Sequence, residues 1–262
     1  MSYQYVIYEK KGHIAYVTIN RPEVMNALHY AANVELDEIF TDFKQDDEMW
    51  VAIITGAGER AFSAGNDLKA TAEDTAKGES FVGAKPVPFG GITMGYNCPK
   101  PLIAAVNGVA MGGGFEIALA CDLIIAAEHA RFALPEPRVG LIAAAGGVHR
   151  LPQQIPLKQA MGMLLTGRTI NAQEAYRMGL VNEVVPGAEL LAAAERWAGQ
   201  ILECSPLSVR LTKEAVYSGL TSSLEVAMQN DRPLLQRLLA SEDFVEGPKA
   251  FAQKRKPNWT GR

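Results

Sequence analysis

Short apolar strands alternate with helical segments over residues 1–185, and this alternation constrains the fold more than any other feature of the sequence. The segments with strand character are β-branched or continuously apolar and end near Gly, Pro or Asn. They are His13–Asn20, Trp50–Thr55, Pro101–Val106, Leu123–Ala127 and Leu180–Val185. Apolar strands joined through helices are typical of a mainly parallel sheet with right-handed crossovers. The sequence therefore predicts an α/β fold.

Helical periodicity dominates the rest of the chain. Helices are predicted over Ala172–Met178, Leu190–Glu203, Pro206–Ser218 and Ser223–Leu239. We therefore expect residues 1–185 to form an α/β core and residues 186–262 a helical C-terminal region. Apolar faces on such helices need a partner, often another subunit. Residues 71–97 are rich in Gly and Pro, and two interpretations stay open for them: a lid over a pocket, or a surface insertion.

Composition excludes several classes of protein. The 262 residues carry 25 Lys and Arg against 29 Asp and Glu, a net charge of −4, which argues against nucleic acid as the main partner. No apolar run approaches the roughly 20 residues of a membrane span, and the N-terminus lacks the apolar run of a signal peptide. A cytoplasmic location is therefore expected. The four histidines and three cysteines lack metal-ligand spacing, so no metal is expected.

A glycine-rich stretch, Asn107–Glu116, follows the third apolar strand and leads into a predicted helix at Gly114. Glycines there let a ligand approach the backbone, and the free N–H groups of the helix start favour negative charge. The spacing matches neither a dinucleotide fingerprint nor a P-loop. Two interpretations stay open: a site for a phosphate or an oxyanion, or a tight turn with close helix packing.

A second candidate stretch is Phe62–Lys69. Gly65 frees the N–H of Asn66 to point into a cleft, and together with the N–H of Gly113 it can form a two-donor oxyanion hole. The alternative is an ordinary Asx-type turn.

Two glutamates are candidate acid and base groups. Glu116 lies in an apolar context in the first turn of the glycine-led helix, and Glu136 is held between two prolines. A carboxyl group partly removed from water resists ionisation and can serve as a general acid or base. Two carboxyls in different environments can divide these roles. His149 also invites a role as base, but a partner for a local backbone group is the favoured interpretation.

In the order of these motifs the chain resembles the enoyl-CoA hydratase/isomerase (crotonase) family. The resemblance covers nearly the whole chain. The stretches that carry it are Arg21-Pro22, Asn26–Leu28, Phe62–Lys69, Pro101–Gly108, Gly112–Glu116, Phe132–Glu136, Gly146-Gly147, Thr166-Gly167 and Phe251–Arg255. It implies a spiral of ββα repeats that carries a coenzyme A (CoA) thioester site. It also implies that the helical C-terminal region assembles trimers, which commonly pair into hexamers.

The resemblance also implies roles for individual residues. The backbone N–H groups of Asn66 and Gly113 would form the oxyanion hole for the thioester oxygen. Ala143 and Ala144 stand where many hydratases have Pro-Gly, in a loop that borders the water and the acyl chain. The residues expected to contact CoA are Glu23, Val24, Met25, Ala64, Asp67, Leu68, Lys69 and Lys254. Lys254 would reach a CoA phosphate, often from a neighbouring subunit.

Family members with both glutamates are typically hydratases or dehydratases. Carried over, Glu116 would help activate a water for attack at the β-carbon, and Glu136 would give a proton to the α-carbon. No metal or redox cofactor is implied, because CoA is part of the substrate. An acyl group bearing a quaternary ammonium would need an aromatic or acidic wall, for which Phe81, Phe89 and Tyr96 are candidates.

Four alternatives stay open. Within the enzyme class, they are a double-bond isomerase and another crotonase-type reaction such as C–C cleavage. Outside it, they are an RNA-binding relative and a catalytically silent member.

Overall fold

The computed structural model describes residues 3–76, 87–94 and 98–262. The chain divides into two compact units. The first comprises residues 1–97 and 102–195, and the second comprises residues 98–101 and 196–262. The roles predicted for residues 1–185 and 186–262 stay predictions. Of the predicted acyl-wall aromatics, Phe81 and Tyr96 lie outside the described residues.

The first unit contains a six-stranded sheet, and its strand order is β1-β2-β3-β5-β7-β10. These strands are β1 (Val6–Lys11), β2 (Ile14–Ile19), β3 (Val51–Gly56), β5 (Leu102–Val106), β7 (Leu123–Ala127) and β10 (Glu183–Val185). Only the β1–β2 hairpin is antiparallel; the other pairs are parallel. The mainly parallel sheet is therefore confirmed, although the last strand is shorter than the predicted Leu180–Val185.

A second sheet of four short strands has the order β4-β6-β8-β9. These strands are β4 (Ala61–Ser63), β6 (Val109–Met111), β8 (Arg131–Ala133) and β9 (Ile170–Asn171). The pairs β4–β6 and β6–β8 are parallel, and β8–β9 is antiparallel. Each of β3, β5 and β7 in the first sheet is followed by a short strand of the second sheet and then by a helix. This alternation is the expected series of ββα repeats.

Helices of the first unit cover the apolar strands. They are α1 (Tyr30–Gln45), α2 (Leu68–Ala76), α3 (Gly113–Ala120), α4 (Gly147–Gln154), α5 (Leu157–Thr166) and α6 (Ala172–Arg177), followed by α7 (Leu190–Leu202), which continues into the second unit. Helix α1 shows why they form. Leu36, Ile39, Phe40 and Phe43 recur at helical spacing and are fully buried. This spacing over Ala31–Phe43 predicts a helix from the sequence alone, and the structure confirms it.

The second unit is helical, with α8 (Pro206–Gly219), α9 (Leu224–Asn230), α10 (Arg232–Leu239) and α11 (Glu242–Ala252). The prediction of one helix over Ser223–Leu239 is wrong, because the structure has two helices there that meet at Asp231. Pro233 explains the break, since it lacks the N–H that a continuous helix needs. No helix in the described ranges is long and apolar enough to span a bilayer.

Candidate active site

Three candidate residues lie just beyond the carboxyl ends of neighbouring strands in the second sheet. Asn66 follows β4, Glu116 follows β6 and Glu136 follows β8. Because these strands are parallel, their carboxyl ends share one edge. The N–H of Gly112 donates to Ala133 O over 2.9 Å, which joins the start of α3 to the segment before Glu136. The fold therefore gathers groups that are 50 and 20 residues apart in the sequence.

Glu116 is buried in the first turn of α3, with 3% of its surface exposed. Its Oε1 accepts a hydrogen bond of 2.8 Å from the N–H of Gly147, the first residue of α4. The N–H of Ala145 also stabilises the carboxylate. The Gly147 N–H therefore orients the Glu116 carboxyl.

Glu136 has a different environment. It begins a 3₁₀-helix, Glu136–Val139, and is half-buried. A Cβ built on Gly112 would lie 3.0 Å from its Oε1, so this carboxyl covers the residue just before α3. Its Oε2 is buried and has no hydrogen-bond partner among the described residues. A buried oxygen without a partner among the described residues is suited to a proton or a water.

Burial raises the pKa of both carboxyls. The pKa of Glu116 rises to about 7, mainly because burial penalises its charge. The carboxylate of Glu136 adds to the rise, while the N–H groups of Gly147 and Ala145 and the Arg150 cation oppose it. Burial also raises the pKa of Glu136, against the influence of its own backbone N–H. The charge of Glu136 therefore reaches Glu116, and a raised pKa makes each carboxyl a better proton donor or acceptor than a solvated glutamate.

The raised pKa of Glu116 predicts a pH-dependent stability. A carboxyl whose pKa is higher in the folded state stabilises it below the unfolded pKa, and that stability is lost as pH rises through the folded pKa. A rise from 4.5 to about 7 corresponds to about 3 kcal/mol. We therefore expect the Tm of wild type to fall relative to Glu116→Gln between these pH values.

Thermal unfolding at one protein concentration measures this effect. Glu189→Gln serves as the control, because Glu189 is exposed and its removal should leave the pH dependence of Tm unchanged. Parallel curves for wild type and Glu116→Gln across the window would contradict a raised pKa for Glu116.

The two proposed oxyanion donors, the N–H groups of Asn66 and Gly113, are oriented by different structural features. Leu28 forms a parallel β-bridge with Asn66, in which the N–H of Leu28 donates to Gly65 O and the N–H of Asp67 donates to Leu28 O, at 2.8 and 2.9 Å. The N–H of Asn66 must then point away from Leu28. Gly113 is the first residue of α3, where an N–H has no partner in the helix. Neither N–H has an acceptor in the described part of the chain.

Gly65 brings these donors together. It adopts φ +89°, and a Cβ there would lie 2.7 Å from Met111 O and 2.9 Å from Gly113 N. Only a residue without a side chain allows this approach. The side chain of Asn66 is turned elsewhere, since its Nδ2 donates to Thr71 Oγ1 over 3.0 Å.

Phe89 lies directly beside this pair of amides. A Cβ on Gly113 would lie 2.3 Å from Cε1 of the Phe89 ring. Thr93 Oγ1 donates to Phe89 O over 2.7 Å, and the N–H of Gly90 donates to Asn33 Oδ1, also over 2.7 Å. The half-buried Phe89 ring is therefore held against Gly113.

Several predicted CoA contacts lie near the same edge. Glu23 and Val24 are exposed on a 3₁₀-helix, Pro22–Val24, that ends at Met25. The N–H of Ala64 donates to Met25 O over 2.9 Å, which connects this turn to the segment before Asn66. Two further candidates, Leu68 and Lys69, are exposed in the first turn of α2.

The other predicted site residues have distinct surroundings. Asp67 forms an ion pair of 3.0 Å with Arg21. Although burial opposes it, the Ala70 N–H and this guanidinium hold the pKa of Asp67 below its ordinary value. Lys254 is exposed in the second unit. Ala143 is buried and Ala144 is exposed in the loop before α4.

Two contributors were not assigned a role from the sequence. Arg21 belonged to the family resemblance, yet nothing in the sequence paired it with Asp67. The charge of Arg150 lowers the pKa of Glu116, and no local sequence motif predicted this interaction. His149 is exposed on α4. Within residues 3–76, 87–94 and 98–262, no three His, Cys, Asp or Glu side chains converge as a metal site would require.

Known proteins are similar to this chain in both sequence and fold. A family model described as enoyl-CoA hydratase/isomerase matches residues 9–262. The chain is 44% identical over 257 residues to carnitinyl-CoA dehydratase of Escherichia coli K12, with 97% of each chain covered. It is 45% identical over 256 residues to the enzyme of that name from Proteus mirabilis HI4320, with 96% of this chain and 97% of the relative covered.

Solved structures give the same picture. The enoyl-CoA hydratase of Mycobacterium tuberculosis H37Rv superposes with a TM-score of 0.90 at 39% identity, covering 98% of this chain and 99% of that one. The enoyl-CoA hydratase of Bacillus anthracis superposes with a TM-score of 0.91 at 37% identity, covering 99% of this chain and 100% of that one.

Proposed function

Because the chain belongs to the enoyl-CoA hydratase/isomerase family, we propose that it is a hydro-lyase that adds water across the 2,3 double bond of an enoyl-CoA, or removes it in reverse. The observation that carries this proposal is the set of groups gathered at one edge of the second sheet. It combines one buried and one half-buried carboxyl, Glu116 and Glu136, with two backbone N–H donors that have no acceptor among the described residues.

The oxyanion hole supplies the first part of the chemistry. Attack of water at the β-carbon moves the electron pair of the double bond toward the thioester, and negative charge develops on the thioester oxygen. The N–H groups of Asn66 and Gly113 would bind that oxygen, and donors fixed in advance stabilise the enolate without reorganising.

The carboxyls supply the proton transfers. Glu116, whose carboxyl accepts from the Gly147 N–H, would take a proton from the attacking water. Glu136, whose buried Oε2 lacks a protein partner in the described chain, would give its proton to the α-carbon. Protonation converts the enolate to the thioester, so that one C–O bond at the β-carbon and one C–H bond at the α-carbon have formed, while one O–H bond of the water and the O–H bond of Glu136 have broken. Glu116 is left protonated and Glu136 ionised, and proton exchange with solvent resets the pair for the next turnover. Dehydration reverses each step.

A quaternary-ammonium acyl group is the finer substrate proposal. The relatives at 44 and 45% identity are named carnitinyl-CoA dehydratase. In this chain the Phe89 ring lies against Gly113, beside the position of the thioester carbonyl. An aromatic face attracts a quaternary ammonium, so Phe89 is our candidate for recognition of that group.

We include a cytoplasmic location and a homotrimer or homohexamer in the proposal. Exposed apolar side chains on the helices of the second unit support assembly. They include Val216, Leu224, Met228, Leu235, Leu239 and Phe251. The CoA contacts assigned to Glu23–Met25, Ala64, Asp67–Lys69 and Lys254 belong to the proposal as well, as does the role of Ala143 and Ala144 beside the acyl chain.

Loss of enoyl-thioester absorbance tests the function directly. We expect crotonyl-CoA and crotonobetainyl-CoA to be hydrated, with a higher kcat/KM for crotonobetainyl-CoA, and a branched enoyl-CoA to react more slowly. Chromatography of the products identifies a 3-hydroxyacyl-CoA. Double-bond migration or cleavage products without any hydration would instead support the isomerase or C–C cleavage alternatives.

A further inference from the structure

Arg150 joins two separate walls of the candidate site with one guanidinium. It lies on α4 and is half-buried. Its Nη2 donates to Thr93 O over 2.8 Å, and its Nη1 donates to Ala145 O over 3.2 Å. A planar guanidinium can make two such bonds in a fixed relation, which a lysine ammonium does not reproduce.

Each acceptor carbonyl belongs to a segment that positions a site residue. Thr93 closes the turn that begins at Phe89, whose ring covers Gly113. Ala145 lies in the loop whose Gly147 N–H donates to Glu116. The Arg150 side chain therefore connects the backbone that holds the general base to the backbone that shapes the oxyanion hole.

The absence of a side chain at Gly146 leaves space for the Arg150 guanidinium. This residue has φ +105°, and a Cβ there would lie 2.0 Å from Arg150 Nη1. The backbone between Ala145 and Gly147 thus passes immediately under the arginine side chain.

Few charges face Glu116 besides Arg150. The elements packed on α3 are α4, β4, β6 and the 3₁₀-helix Phe89–Gly91. In these segments only α4 carries ionisable side chains, Arg150 and the exposed His149. Glu136, whose Oε1 lies against Gly112, adds its charge. Arg150 is therefore the cation that favours the carboxylate form of Glu116.

We propose that Arg150 is a positioning residue for hydration: its guanidinium clamps the Phe89–Thr93 turn to the Ala145–Gly147 loop, and so fixes the Glu116 carboxyl, which this loop holds, relative to the Phe89 ring beside Gly113. The inference rests on the proposed function, because it assigns the roles of Glu116 and Gly113 from it. Arg150 touches neither the substrate nor the reacting atoms in this proposal.

The test compares Arg150→Met and Arg150→Lys in the hydration of crotonyl-CoA as a function of pH. For Arg150→Met we expect kcat to fall about 30-fold with little change in KM, because a misplaced base costs turnover. We also expect the acid limb of kcat/KM to move up by about 0.5 to 1 pH unit, because a cation beside Glu116 is lost. Arg150→Lys should keep the acid limb of wild type and lose about 5- to 10-fold in kcat.

Arg168→Met is the matched control, since it removes another arginine from the first unit whose partner is Glu174. It should retain the kcat and pH profile of wild type. An Arg150→Met enzyme with the kcat and acid limb of wild type would overturn the proposal. Equal losses in both Arg150 variants with an unmoved acid limb would also overturn it, because they would indicate a general loss of structure.

A second readout separates this inference from the function. The pH dependence of Tm, taken as the difference between each arginine background and its Glu116→Gln derivative, follows the pKa of Glu116 without any substrate. We expect its midpoint to move up in Arg150→Met and to stay in Arg150→Lys. If wild type hydrates no enoyl-CoA, the proposed function fails. If it hydrates and the Tm midpoint does not move in Arg150→Met, the inference about Arg150 fails.

Discussion

Glu136→Gln is expected to lower kcat for hydration of crotonyl-CoA by about 10³-fold while KM changes by less than about threefold. The amide is nearly isosteric with the carboxyl, so the substrate should still bind. It has no proton to give to the α-carbon, and it would place an NH₂ or a carbonyl where the unpaired Oε2 now lies. Glu116→Gln should cost a similar factor, because it removes the base that activates the water.

Hydrogen exchange distinguishes the two roles. In D₂O, wild type should exchange the α-hydrogen of 3-hydroxybutyryl-CoA, and this exchange should be lost in Glu136→Gln. Glu128→Gln is the control, because Glu128 is exposed at the end of β7. Exchange that survives in Glu136→Gln but disappears in Glu116→Gln would reverse the assignment. The double variant should be little worse than either single variant, since residues that act as a unit are not additive.

Gly65→Ala is expected to lower kcat/KM by about 10² to 10³, comparable to the loss of an oxyanion donor. The added Cβ would collide with Met111 O and Gly113 N. Both are backbone atoms that cannot turn aside as a flexible side chain can. The two amides would separate, and the enolate oxygen would lose at least one of them.

Two controls separate this effect from backbone strain and from the side chain of residue 66. Gly179→Ala imposes a similar left-handed strain, at φ +79° against +89°, but its Cβ meets nothing within 4 Å. It should cost stability and retain kcat/KM. Asn66→Ala keeps the backbone N–H, so its kcat/KM should stay within about threefold of wild type. A loss in Asn66→Ala as large as that in Gly65→Ala would show that the side chain is the functional donor.

The strongly apolar elements of the fold follow from the sequence. Strands β2, β3, β5 and β7 lie within a residue or so of their predicted positions, because continuous apolar runs bounded by breakers have few other solutions. Strand β1 was not predicted. Only Val6 of its residues is buried, so its polar pattern does not differ from that of a loop.

The strands of the second sheet were not predicted from the sequence for a different reason. Three of its strands have three residues and one has two, which is too short for a periodic pattern to develop. Helix α11 was also not predicted. Its N-cap signal is present, since Ser241 Oγ accepts from Phe244 N, but Gly247 and Pro248 weaken the helical pattern.

The site shows the same division between local and non-local information. The glycines before Glu116 and the prolines around Glu136 are local signals, so both glutamates were predicted as candidates. Their approach depends on the pairing of β6 with β8, which no local pattern encodes. Arg150 and Phe89 act through backbone carbonyls and van der Waals contact, and neither interaction depends on a recognisable motif.

The bridge between Leu28 and Asn66 has a consequence for how such enzymes diversify. Successive peptides along an extended segment face opposite sides, so the donor is selected by its position in the chain and not by the chemistry of its side chain. The proposed donor therefore depends on the backbone position of residue 66, directly after Gly65 and opposite Leu28, and not on the type of its side chain. In the proposed mechanism, a substitution at residue 66 keeps the N–H donor, while insertion or deletion of one residue beside it would turn a carbonyl toward the enolate.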